Sequence, residues 1–223
     1  MSKIPYRQAI GSLMWAAVAT RPDISFAVST LSQFLENPGG THWTAAKRVF
    51  KYLKGTRDYK LTLGRNREGL VGYTDADWAS QEHRHSFSAY AFQIDGGAIS
   101  WSCQKQSIVA LSSTEAEFIA LAHATKEALW LRHFISEIFQ PLNSAVRIYS
   151  DNQSAITIAH GNQQHARTKH FDIRLYFIRD TIDDGEIAMQ YLPTEQMLAD
   201  ILTKGLPSPR VKILTDGLGI HQA

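Results

Sequence analysis

The stretch EGLVGYTDADWAS (residues 68–80) reads as a β-strand that carries an aspartate towards its far end. Val71, Tyr73 and Asp75 fall on one face of the alternation, Leu70, Gly72 and Thr74 on the other. Next, SFSAYAFQIDGGAISWSC (86–103) holds two alternating runs joined at Asp95-Gly96-Gly97, the pattern of a hairpin. LSSTEAEFIALA (111–122) opens a long helix, expected from about Ser113 to Phe139 and ended by Pro141. AVRIYSDNQSAITIAHG (145–161) is a strand running into a helix, and RTKHFDIRLYFIRDTIDDG (167–185) is a further helix stopped near Gly185. EIAMQYL (186–192) is a short strand. PTEQMLADILTKG (193–205) is expected as a last helix, with Thr194 as N-cap and Gly205 as C-cap. Three antiparallel strands followed by helix–strand–helix units predict an α/β fold, one mixed sheet with helices on its faces. Crossover connections make the later strands parallel.

Upstream the texture is helical. TRPDISFAVSTLSQFLENPGG (20–40) has Pro22 early in a helix, where its missing N–H does least harm, and Pro38-Gly39-Gly40 as the stop. THWTAAKRVFKYLKGT (41–56) restarts with Thr41 as candidate N-cap and Gly55 at the C-cap, and Lys47, Arg48, Lys51 and Lys54 form a basic stripe. That stripe is either a solvated face or a phosphate-tracking one. The boundary between this segment and the sheet domain is expected near Gly64–Gly69. The whole chain has 223 residues, 44% hydrophobic and 20% charged, which fits a globular protein. A net charge of +2 does not by itself mark a nucleic-acid binder. The lone Cys103 excludes an intrachain disulfide and points to a reducing compartment. No apolar run reaches the roughly 20 residues a membrane span needs, and MSKIPYRQAI lacks a signal-peptide core.

The chemistry lies in four acids at the ends of elements. Asp75 and Asp151 each close a strand, where ligands of open α/β sheets bind. Parallel neighbours lie about 4.8 Å apart, so the two carboxylates would meet. Two such charges repel, and a divalent cation resolves the conflict. Oxygen-only ligands suit Mg²⁺ or Mn²⁺. Glu115 and Glu117 sit two apart, about 200° around a helix, and so have different tasks. Ser112-Ser113-Thr114-Glu115 matches a capping box, which gives Glu115 a structural role and leaves Glu117 to be a ligand or a solvated acid. Asp200 points away from an apolar stripe of Leu198, Ile201 and Leu202, beside Gln196 and Lys204. By pattern alone it is a ligand or an exposed helix acid. Asp77 competes with Asp75 for the strand position.

Together, GYTDADWAS, AISWSCQKQSIVALSSTEAEFIALA, IYSDNQSAITIA, RTKHFDIRLYFIRD and ADILTKGLP resemble the ribonuclease H domain of Ty1/copia-type LTR retrotransposon polyproteins, with every motif in order from about Gly69 to Arg210. YRQAIGSLMWAAVATRPDISFAVSTLSQF through HWTAAKRVFKYLKGT resembles the segment that links the reverse transcriptase to its RNase H in the same polyproteins. The Tyr-x-Asp-Asp polymerase motif is absent, so the chain is expected to be the tail of such a polyprotein. The resemblance implies an RNase H-like mixed five-stranded sheet, three antiparallel strands then parallel ones, flanked by helices. It implies a division into a helical thumb- or connection-like segment (1–64), a ribonuclease H-like domain (68–210) and a C-terminal tail (211–223).

The catalytic set it implies is Asp75, Glu117, Asp151 and Asp200, which would also be the metal ligands. The reaction implied is hydrolysis of the RNA strand of an RNA–DNA hybrid with two Mg²⁺ or Mn²⁺ ions roughly 3.5–4 Å apart. Asp75 would bridge both, Glu117 and Asp151 complete one, and Asp200 the other. Lys105, Gln106, Ser112, Ser113, Asn152 and Gln153 flank the acids and are candidate hybrid contacts. So are Arg167, Lys169 and His170 of the basic cluster that also holds His165 and Arg174. Basic residues at a helix start oppose its dipole, so a phosphate partner suits them. The implied partners are the hybrid and the reverse transcriptase portion of the same polyprotein, and the implied location, for an active element, is an intracellular, cytoplasmic virus-like particle; for an inactive one the resemblance implies none. Several positions depart from the family pattern. Ala89 replaces a usual glycine, Tyr176 a usual histidine, and HRHSFSAY a usual basic-Ser-Thr-Ser run, while the histidine that many cellular RNases H carry before the last aspartate is absent, as it commonly is in this family. The alternative is a decayed fold that binds nucleic acid without cutting it. An integrase-type site would need a final glutamate after the second strand, whereas here the glutamate, Glu117, comes before Asp151 and the last of the four candidate acids is Asp200.

Overall fold

The computed structural model describes residues 4–79, 84–139, 142–161 and 172–222. Its centre is a five-stranded sheet in the order β4-β3-β2-β5-β6, built from β2 (Leu70–Asp77), β3 (Phe87–Ile94), β4 (Gly97–Lys105), β5 (Val146–Ser150) and β6 (Ile187–Tyr191). The first three strands are antiparallel and the last two parallel, as expected. The hairpin closes with two residues, Asp95 and Gly96, both at positive φ (49° and 81°), because Ile94 pairs directly with Gly97. A two-residue turn of that hand matches the twist of the flanking strands.

The β2 strand does not alternate between core and solvent. It lies centrally and is covered on both faces. Leu70 joins Phe92, Phe118, Leu121 and Ile148 in the core under the helices α4 (Ser113–Ile138), α5 (Gln153–His160) and α6 (Asp172–Asp183). Val71 and Tyr73 pack on Met197 and Ala199 on the opposite side. There, small residues of β3, Ala89 and Ala91, leave room for Ile201, Leu202, Leu214 and Leu218.

The helical segment comprises α1 (Tyr6–Ala19), a 3-10 turn at Pro22–Ile24, α2 (Ser25–Ser32) and α3 (Gly40–Gly55). Its core is its own: Tyr6, Ile10, Leu13, Val28, Leu31 and Val49. The α3 helix begins ahead of the expected Thr41, with Gly39 as N-cap and His42 Nδ1 accepting the Gly39 N–H (2.9 Å). This segment covers β4, where Trp101 Nε1 donates to Ala17 O (2.8 Å) and Lys105 Nζ to Gln33 Oε1 (3.0 Å).

Two expectations about the end of the chain change. The span 193–205 is not one α-helix but two 3-10 turns, Thr194–Gln196 and Leu198–Leu202. Residues 211–222, expected as a tail, lie in α7 (Ser208–Gly217) and β7 (Ile220–Gln222). β7 pairs antiparallel with β1 (Tyr59–Leu61), Tyr59 against Gln222. Gly219 makes this crossing possible. It adopts φ +84°, and a Cβ there would stand 2.8–2.9 Å from backbone atoms of Thr62, Gly96 and Gly97.

Candidate active site

The parallel pairing of β2 with β5 sets Tyr73 against Tyr149, so two residues further on Asp75 and Asp151 come level. The start of α4 supplies the third acid. Ser112 Oγ accepts the Glu115 N–H (3.1 Å), and Glu115 Oε2 turns back to accept the Leu111 N–H (2.6 Å). Glu115 is therefore the cap. Glu117, on another face, points into the cluster and accepts a bond from the Ala76 backbone. Ligand oxygens of Asp75, Glu117 and Asp151 all lie within 4.8 Å of one another. Asp75 and Glu117 are 2% and 7% exposed. Asp151 is half-buried and held by the Thr194 hydroxyl, which donates to its Oδ2 (2.6 Å).

Asp200 is buried at 3% exposure, against the exposed helix acid of one reading. The 3-10 turn points it inward beside Asp75 rather than out along a helix face. It stands apart from the three-acid cluster, joined to it through Lys204. Lys204 Nζ lies 3.0 Å from Asp200 Oδ1 and 3.6 Å from Asp75 Oδ2. Arg210 Nη2 lies 3.6 Å from Asp200 Oδ2. The Thr203 hydroxyl donates to Asp75 Oδ2.

The electrostatics follow from burial and crowding. Burial pushes the Asp75 carboxyl up to about 6; Asp200 and Asp151 add to this, while Lys204 and Thr203 work against it. Glu117 is raised well above the ordinary value, first by burial and then by Asp75 and Asp151. Asp200 is also raised by burial, with Lys204 opposing. Burial disfavours charge on Lys204, but Asp75 and Asp200 outweigh it and its pKa rises. Glu117 Oε2 is buried with no hydrogen-bond partner among the described residues. An orphaned carboxylate oxygen aimed at two more carboxylates fits a hard divalent cation, which takes oxygen ligands.

The expected hybrid contacts divide. Lys105, Ser112, Ser113 and Gln153 are exposed. Asn152 caps α5, its Oδ1 accepting the Ala155 N–H (2.9 Å). Gln106 turns inward. It is 5% exposed, and its Nε2 donates to Ser88 Oγ (2.6 Å) and Ala116 O (2.9 Å), tying β4 to the glutamate helix. Arg167, Lys169 and His170 lie outside the described residues, as does His165. Arg174 lines a cleft of about 490 Å³ with Lys105, Gln106, His123 and Lys126, between the end of β4, α4 and α6. The stripe Lys47, Arg48, Lys51 and Lys54 is exposed along α3. Thr194, Thr203, Lys204 and Arg210 also touch the acids, four site residues that the sequence pattern alone does not mark. The one signal available was Lys204 four residues after Asp200.

No family model matches the chain. It is similar to the retrovirus-related Pol polyprotein from transposon TNT 1-94 of Nicotiana tabacum, 44% identical over 222 residues, which are 99% of this chain and 17% of that one. It thus spans about a sixth of that polyprotein's length. It is also similar to the secreted RxLR effector protein 161 of Plasmopara viticola, 51% identical over 133 residues, 59% of this chain and 94% of that one. Among solved structures, LC11-RNase H1 gives a TM-score of 0.48 at 16% identity, covering 60% of this chain and 92% of that one.

Proposed function

We propose that this chain, whose homologues over most of its length are Ty1/copia-type retrotransposon Pol polyproteins, is the ribonuclease H portion of such a polyprotein and hydrolyses the RNA strand of an RNA–DNA hybrid. The observation that carries this reading is the convergence of Asp75 and Asp151, carried by adjacent parallel strands, with Glu117 from the start of α4, and with Asp200 one lysine away. Asp75, Glu117 and Asp151 would hold one Mg²⁺ or Mn²⁺ ion, and Asp75 with Asp200 a second. Bound there, such ions supply an activated water and stabilise the leaving oxygen of a phosphodiester.

The remaining work falls to the chain itself. Thr194 orients Asp151, and the Glu115 cap with the Gln106 tie fixes the helix that carries Glu117. Exposed Lys105, Ser112, Ser113 and Gln153, with the Arg174–Lys126 cleft, would meet the hybrid's backbone. Recognition of RNA would come from the 2′-hydroxyl and groove shape, which makes cutting nearly independent of sequence. We assign residues 1–64 to the segment that joins the polymerase and the rest of the chain from residue 68, with α7 and β7 packed onto it, to the nuclease domain. The reverse transcriptase portion would be the partner, and a cytoplasmic virus-like particle the setting.

The test is cleavage of a labelled RNA–DNA hybrid with Mg²⁺ or Mn²⁺, beside Asp75→Asn. RNA cut in the hybrid, single-stranded RNA and duplex DNA spared and the variant silent, is the expected result. Folded protein that binds the hybrid but cuts under neither metal would mean a decayed domain.

A further inference from the structure

The acid site is electrically lopsided. On the Glu117–Asp151 side, no ion pair forms among the described residues, and Glu117 Oε2 is left bare. On the Asp200 side the protein brings its own cations. Lys204 Nζ stands between Asp200 Oδ1 (3.0 Å) and Asp75 Oδ2 (3.6 Å), and Arg210 flanks Asp200 at 3.6 Å. The two acids are buried, yet the Lys204 side chain is 33% exposed, so it reaches in from the open edge on a flexible stem. It is anchored next to Thr203, whose hydroxyl engages the same Asp75 oxygen.

A magnesium ion needs its oxygen ligands at about 2.0–2.1 Å, which an ammonium between the same two carboxylates forbids. We infer that Lys204 is a built-in counter-ion that holds the Asp75–Asp200 seam and must swing out before a divalent cation binds there, so that the two metal positions fill in a set order. The position bounded by Asp75, Glu117 and Asp151 fills first, with no cation to displace. The second fills only in exchange for the lysine. This rests on the metal-dependent reading above and adds the order of loading and the residue that imposes it.

The test is a Mn²⁺ titration of the full chain, with heat measured by calorimetry and free ion counted by electron paramagnetic resonance. Lys204→Met removes the charge and keeps the apolar stem, Lys204→Arg keeps the charge, and Lys204→Gln keeps a polar end should the methionine variant not fold. The wild type is expected to bind a first ion and, much more weakly, a second. Met or Gln at position 204 should tighten the second event by about tenfold or more while moving the first by less than about threefold, and Arg should leave the second weak. A second event unchanged or weakened in the uncharged variants, or absent from every variant, overturns the inference while the first event stands. A wild-type chain that binds no Mn²⁺ at all overturns this inference and the metal-dependent reading together.

Discussion

Replacing Glu115 by alanine and, separately, Glu117 by glutamine should move the stability of the metal-free protein in opposite directions, although the two residues are neighbours on one helix. Glu115 accepts the Leu111 N–H at 2.6 Å in the first turn of α4. A charged acceptor at a helix start contributes about 1–2 kcal/mol. For a chain of this size that is roughly 2–8 °C of melting temperature, lost in Glu115→Ala. Glu117 has the reverse balance. Its ligand oxygen lies within 4.8 Å of those of Asp75 and Asp151. Two full charges at that separation repel by about 3.5 kcal/mol at an effective dielectric constant of 20. Protons taken up by the raised carboxyls relieve much of this, so the net gain from Glu117→Gln is about 1 kcal/mol. The amide also gives the bare Oε2 position a donor. Urea unfolding in EDTA, followed by circular dichroism, reads both changes. Added Mg²⁺ should then stabilise the wild type and Glu115→Ala but hardly Glu117→Gln, and hybrid cleavage should survive only in the first two. A Glu117→Gln protein less stable than wild type in EDTA would refute the crowding argument. A Glu115→Ala protein that folds normally but binds no metal would mean the two roles are exchanged.

Metal stabilisation should depend on pH through Asp75. Its carboxyl stands at about 6 in the folded protein against an ordinary 3.8, so the metal-free fold holds this proton more tightly than the unfolded chain does. That contribution is complete below the ordinary value and is lost as pH rises through about 6. Metal competes with the proton, so the Mg²⁺-induced rise in unfolding midpoint should be small near about pH 5 and large near about pH 7.5; a flat profile would contradict the assignment. Gly72→Ala would put a Cβ 2.4 Å from the Phe92 ring, in the middle of the central strand. Unfolding in urea should show a loss of about 1–3 kcal/mol, and a neutral effect would show that the ring can move aside. In the helical segment, Arg21 pairs with Asp23 at 2.6 Å, the Asp23 side chain is 0% exposed, and the Tyr52 hydroxyl donates to the same carboxylate at 2.7 Å. Arg21→Met should cost about 3–5 kcal/mol by stranding that charge, with Mn²⁺ binding unchanged in calorimetry.

The parts of the site legible in the sequence are those written in local signals. Asp95-Gly96 marks a hairpin whatever surrounds it, and Ser112 with Glu115 marks a helix start, which by elimination frees Glu117. Asp75 and Asp151 each follow a strand run, and a parallel register brings them level. Asp200 was not legible in the same way. Leu198, Ile201 and Leu202 are spaced equally well for an α-helix and for a tighter 3-10 turn, and only the burial of Met197 and Ala199 against β2 decides which way Asp200 faces. Lys204 was visible as a neighbour of Asp200, but its reach to Asp75 depends on a contact across 129 residues of chain. Gln106 looked like a surface contact because nothing nearby in sequence announces Ser88 as its partner. The strands β1 and β7 are three residues each, too short for any periodicity to register.

That short ribbon has a consequence for how the molecule assembles. β1 pairs with a strand about 160 residues further along, and closing so long a loop carries an entropic cost that local turns avoid. During synthesis the hairpin, the glutamate helix and the parallel strands can all form while β1 still lacks its partner. Contacts of such wide separation form slowly. Until Ile220–Gln222 arrives, β1, between the helical segment and the sheet, keeps a bare strand edge, the kind of surface through which nascent chains find one another. Completion of this fold is therefore a late event, and the ribbon works as its latch.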